Sequence, residues 1–61
     1  MHLKKRREAL GLTLADLSRM TGLHIVTLSR LEHGKISIGK ITLEHAIKLA
    51  DALLVDLREL L

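Results

Sequence analysis

With 61 residues the chain can bury only about 60% of its unfolded surface, which excludes a second core and leaves residues 1–61 as one domain. Apolar residues make up 48%, including 15 Leu but no aromatic ring and no Cys, so one aliphatic core is available while disulfides and thiolate metal sites are excluded. The net charge of +3 is uneven: residues 1–40 hold eight Lys or Arg against three acids and residues 41–61 hold two against four, so the first half suits phosphates and the acidic, Leu-rich end faces elsewhere.

The glycines divide the chain into helices. The first is predicted from His2 to Leu10, with Leu3, Arg7 and Leu10 on one face and Gly11 as the left-handed residue that ends it. Thr13 then starts a second helix of about eight residues. Its hydroxyl caps free amides, Asp16 three residues on favours the positive helix end, and Leu14, Leu17 and Met20 form the buried stripe before Gly22. A third helix is expected from His24 or Ile25 to His33, closed by Gly34, with Leu28 and Leu31 inward and Val26, Ser29, Arg30 and His33 on the opposite face. From Lys35 to Ile41 the pattern reads as a loop pinned by Ile36, Ile38 and Ile41, since no second strand exists to pair with it. Thr42 caps a fourth helix whose Leu43, Ala46, Ile47, Ala50, Leu53 and Leu54 follow the three-four rhythm, and Asp56 caps a short fifth through Leu57 and Leu60. The fold class expected is therefore all-α.

No apolar run approaches about 18 residues, and the basic N-terminus precedes no signal-like apolar stretch, so a soluble, cytoplasmic protein with no membrane partner is expected. Pro, Asn and Gln are missing along with Cys and the aromatics. Heat adaptation thins out Asn, Gln and Cys, and a designed sequence favours strong helix formers; the composition fits both.

Two short helices joined by a tight Gly-containing turn, the second with a polar or neutral outer face, form the arrangement that lays one helix in the major groove of DNA. Here the chain resembles the repressor and Cro-like helix-turn-helix family, the five-helix, Xre-like kind. The resemblance is carried by Arg7, Gly11-Leu12-Thr13, Leu17-Ser18, Gly22-Leu23, the run from Leu28 to Lys35, and Leu43 followed by residues 47–53, and so spans nearly the whole chain. It implies a pairing of Arg7 with Glu32 that clamps the first helix to the end of the recognition helix, and the place of Glu32 beside Leu28 on the inward arc gives such a pair independent physical sense. It further implies that His24, Ile25, Val26, Thr27 and Arg30 approach base edges of double-stranded DNA while Thr13, His33 and Lys35 approach phosphates. Relatives often carry Gln at the position of Leu14 and polar or amide residues where Ile25 and Val26 stand. This chain has no amide side chain, so Arg30 is the guanine reader, Ile25 and Val26 can touch only thymine methyl groups, and specificity is expected to be weak or shape-driven.

Two further departures concern the C-terminal half. The loop after Lys35 is about three residues longer than usual for such folds and can bring Lys40 to the DNA backbone, and Leu54 stands where many relatives have Gly. Leu53, Leu54, Val55, Leu57, Leu60 and Leu61 leave more apolar surface than one small helix hides, which points to a twofold homodimer through the last helices and two recognition helices about 34 Å apart.

Other signals fail on their chemistry. Gly34 to Ile41 nearly matches a phosphate-binding loop, but Ile41 lacks the hydroxyl that would hold magnesium and no strand precedes it. His2, His24, His33 and His45 share no ligand spacing, so no metal and no cofactor is expected. No Ser sits in a nucleophile elbow and the chain is too small for a deep cleft, which argues against an enzyme and a small-molecule substrate. The competing reading is a protein-interaction module or designed scaffold on the repressor fold, docking a partner through Ile25 and Val26.

Overall fold

A computed structural model describes residues 2–61. Its elements are α1 (Leu3–Ala9), α2 (Leu14–Thr21), α3 (Ile25–Glu32), a 3-10 turn at Ile38–Lys40, α4 (Leu43–Ala52) and a second 3-10 turn at Leu57–Leu60. The described residues are all-helical and contain no strand. The expected fifth helix is a single 3-10 turn, because four residues close only one round of bonds. Asp56 does cap it: its carboxylate accepts from the Arg58 N–H, and Glu59 reaches back to the Asp56 N–H at 2.8 Å.

Thr13 caps α2 as its position predicts, accepting from the Asp16 N–H at 3.0 Å, and the Asp16 carboxylate returns the favour by accepting from the Thr13 N–H at 2.9 Å. Two of the four orphan donors of a helix start are thereby satisfied. Thr42 caps α4 by accepting from the His45 N–H, one donor without a reciprocal partner. Neither His2 nor His24 caps the helix it precedes through its side chain.

Three helices end in the same way. In α3 the Lys35 N–H donates to the Arg30 carbonyl at 2.8 Å and the Gly34 N–H to that of Leu31, with Gly34 left-handed at φ +69°. That is a Schellman ending, which needs one left-handed residue just past the helix. At α1 Gly11 fills this role. At α4 the same bonds form, Val55 N–H to Ala50 and Leu54 N–H to Asp51, but the left-handed residue is Leu54 at φ +56°.

The core is aliphatic: Leu3, Leu17, Leu23, Leu28, Leu49 and Leu53 are buried, and Leu10, Leu12, Leu14, Leu31, Ile38 and Ile41 close over them. Helix α2 lies at its centre, packed on both α3 and α4. The stripe expected on α4 is turned by part of a residue step: Ala46, Leu49, Ala50 and Leu53 are buried, whereas Leu43, Ile47 and Leu54 face out. Small Ala46 and Ala50 offer a close-approach seam that bulkier side chains would deny. Met20, expected in the stripe of α2, is also exposed, and Thr21 is buried instead. Among the described residues no helix is long and apolar enough to cross a membrane.

Candidate nucleic-acid interface

The connection between α2 and α3 sets the angle of the outer helix. Gly22 ends α2 at φ +79°, a left-handed turn that lets its N–H reach the Ser18 carbonyl. Thr21, fully buried, donates its hydroxyl to the Leu17 carbonyl at 2.8 Å and accepts from the Leu23 N–H at 3.2 Å. The Ser18 hydroxyl donates to the Leu23 carbonyl. Both backbone groups of Leu23 are thus held by side chains of α2 while its own side chain enters the core, and α3 starts in a fixed direction. The sequence reading missed Thr21. A Thr just before the helix-ending Gly, where its hydroxyl can bond back to i−4, was the available signal.

A second restraint holds the far end of α3. Arg7 Nε donates to Glu32 Oε2 at 2.6 Å and Nη2 to Oε1 at 3.4 Å, while Nη1 donates to the Leu12 carbonyl at 2.8 Å. The Glu32 side chain is only 2% exposed. The hydrogen bond to Glu32, more than the nearby charge, holds the Arg7 guanidinium above its ordinary pKa despite burial, so the guanidinium stays charged. Arg6, beside it, donates Nε to the Leu53 carbonyl at 2.8 Å and Nη2 to that of Leu54, placing a cation at the negative end of α4. Two members of the basic N-terminal run are therefore fasteners of the fold. Arg19 pairs with Asp16. Among the described residues Lys4, Lys5, Arg30, Lys35 and Lys40 enter no ion pair, which leaves five of the eight cations of the first half free for a partner.

The outer side of α3 borders an open concavity of about 560 Å³. Leu14, at the start of α2, joins Ile25 and Val26 as its apolar wall, and Ser29, Arg30, His33 and Lys35 supply its polar edge. Among the described residues no carboxylate lines it. Ile25 is 46% exposed and Val26 58%, two adjacent aliphatic side chains open to solvent on the same concavity. His33 folds back on its own helix, Nδ1 lying 2.7 Å from the Ser29 carbonyl oxygen.

The concavity therefore gathers Ile25, Val26, Arg30, His33 and Lys35 from the residues singled out in the sequence. It leaves out Thr13, His24, Thr27 and Lys40. Thr13 is committed to capping, His24 is exposed in the turn, Thr27 is half-buried on the flank of α3, and Lys40 is exposed at the end of the first 3-10 turn. Leu14, read in the sequence as core, is half-buried and belongs to this surface as well. The segment from Gly34 to Ile41 follows a helix and contains a 3-10 turn, so the strand–loop–helix frame of a phosphate-binding loop is not formed. Among the described residues no three His, Cys, Asp or Glu side chains are grouped to hold a metal ion.

A sequence profile described as helix-turn-helix matches residues 3–60. No match was found among curated proteins or among solved structures.

Proposed function

The chain belongs to the helix-turn-helix family of the Xre-like, phage-repressor type, and on that premise we propose that it is a transcriptional regulator that binds double-stranded DNA in the cytoplasm, with α3 in the major groove. The observation that carries this reading is the acid-free concavity along α3, edged by Arg30 and Lys35 and held at a fixed angle by the Thr21 and Glu32 contacts. Arg30 approaches a guanine edge, with His24, Ile25, Val26 and Thr27 beside it. Thr13, His33, Lys35 and Lys40 approach phosphates; the hydroxyl proton of Thr13 is left to donate, since its oxygen already caps α2. The role is binding and involves no chemical step.

A homodimer fits this reading. The longest extent of the domain is 25 Å, short of the roughly 34 Å that separates half-sites one turn apart, so one chain spans one half-site. Leu53, fully buried in its own core, is removed from the interface expected from sequence. Exposed Leu54 and Leu61 remain, and Ile38, Ile41, Leu43 and Leu57 line an apolar hollow with Leu61 on the same side.

Exposed Ile25 and Val26 also support a second reading, docking of a protein partner. The test is binding of end-labelled random and selected duplexes at several salt concentrations, with Arg30→Ala and Val26→Ala alongside. DNA binding is expected to weaken steeply with salt, since each neutralised phosphate contributes a slope of about −0.9 in log K against log salt, and to collapse for Arg30→Ala. Absence of binding even at low salt would overturn it in favour of the protein-partner reading.

A further inference from the structure

The concavity beside α3 holds little that can hydrogen-bond to a base. His33 Nδ1 lies 2.7 Å from the Ser29 carbonyl oxygen and 3.5 Å from its hydroxyl, so these two residues spend bonding groups on each other. Arg30 enters no ion pair among the described residues and is the directional donor of this face. Apart from Lys35 at its edge, the remainder is hydrocarbon from two helices, Leu14 of α2 meeting Ile25 and Val26 of α3. The cationic edge without a carboxylate selects a polyanion, and on the major-groove edge of a base pair the group that hydrocarbon complements is the C5 methyl of thymine. In 5-methylcytosine the same methyl stands at the same ring position.

Resting on the DNA-binding reading, we infer that Leu14, Ile25 and Val26 form a reader of pyrimidine C5 methyl groups next to a guanine held by Arg30, so that 5-methylcytosine serves this surface in place of thymine. Each methyl withdrawn from water into such a wall strengthens binding about fourfold, and two do so about fifteenfold. Ile25 and Val26 keep about half their surface open to receive them.

The test uses a randomised duplex pool enriched on the wild-type protein and then copied with thymine or with uracil, at one fixed salt concentration. The thymine copies are expected to bind about four- to fifteenfold more tightly. A fresh enrichment from a pool built with uracil and 5-methylcytosine is expected to place 5-methylcytosine where the first pool placed thymine. The double variant Ile25→Ser, Val26→Ser changes only exposed positions; once its helix content is verified by circular dichroism, it is expected to bind through Arg30 and Lys35 with most of the thymine preference lost. Equal binding of thymine and uracil copies by the wild type would overturn the inference and leave DNA binding standing. Discrimination that survives undiminished in the serine variant, which keeps only Leu14 of the wall, would also overturn it, placing the preference in DNA shape. Failure to bind any duplex would overturn the inference together with the reading it rests on.

Discussion

Replacing Leu54 by Gly is expected to stabilise the protein, although it removes a large aliphatic side chain. Leu54 is the left-handed residue of the α4 Schellman ending at φ +56°, a conformation that crowds Cβ against the following carbonyl and costs an L-residue about 1–2 kcal/mol. Its side chain is 72% exposed, so truncation forfeits only about 0.5 kcal/mol of burial, and the freer unfolded chain of Gly costs about another 0.5 kcal/mol. The net expected is about 0.5 kcal/mol of added stability, a rise in Tm of about 2–4 °C for a domain of this size. Gly34→Ala is the mirror experiment: the left-handed Gly34 has open space where a Cβ would stand, so its loss of stability, about 0.5–1 kcal/mol, reports backbone strain less the unfolded-chain entropy that Ala removes, with no packing contribution. Urea and thermal unfolding followed by far-ultraviolet circular dichroism, the suitable signal in a chain without aromatics, measures both. Runs at several protein concentrations separate folding from self-association. A lower Tm for Leu54→Gly at every concentration would refute the reasoning, because it would mean that the Leu54 side chain contributes more than its backbone costs. A loss confined to high concentration would assign that contribution to a contact between copies.

Glu32→Ala is expected to destabilise by about 2–3 kcal/mol by leaving the Arg7 guanidinium without its acceptor; Arg7→Lys should recover little, since an ammonium cannot bridge Glu32 and the Leu12 carbonyl as the fork does. Both are read from urea midpoints, and wild-type stability in Glu32→Ala would show the pair to be ornamental. Thr21→Val keeps the buried volume but orphans the Leu23 N–H, with an expected loss of about 1–2 kcal/mol and weaker DNA binding as the α2–α3 angle loosens. Thr13→Ala should cost about 1 kcal/mol and Thr13→Ser much less, as the cap needs only the hydroxyl. Acid should destabilise the protein. The Thr13 N–H, first, and Arg19 hold the Asp16 carboxyl below its ordinary range, and Arg58 does so for Asp56. Folded values below the unfolded ones, which lie near about 3.9, mean that this stability is complete above about pH 4–5 and drains away as pH falls through the folded values. An Asp16→Asn, Asp56→Asn double variant should show a shallower acid slope in its urea midpoints, and an unchanged slope would acquit both caps.

Much of the domain was legible locally. Thr13, Thr42 and Asp56 announced helix starts, because a short side-chain acceptor before an apolar period satisfies bare amides whatever the rest of the chain does. Gly11, Gly22 and Gly34 announced helix ends for the complementary steric reason. The outer face of the third helix, with Val26, Ser29, Arg30 and His33, followed from the 100° step alone, and those four do share the concavity.

What stayed hidden depends on partners far along the chain. Periodicity placed Leu43 and Ile47 inward beside Ala46, Ala50 and Leu53, but only the crossing of α2 over α4 decided that Leu49 completes the contact arc in place of Leu43 and Ile47. The run of Lys4, Lys5, Arg6 and Arg7 reads as one basic patch, yet Arg6 closes a helix 47 residues away and Arg7 meets Glu32 across 25 residues, so half of that patch is withdrawn from any ligand. Leu14 carries the pattern of a core residue and ends up lining the outer face because α3 starts where Thr21 and Gly22 aim it. Propensity, caps and period are properties of a few neighbouring residues and can be read in a line. Which face is covered, and which charge is free, are settled only when elements distant in sequence meet and compete for the same surface.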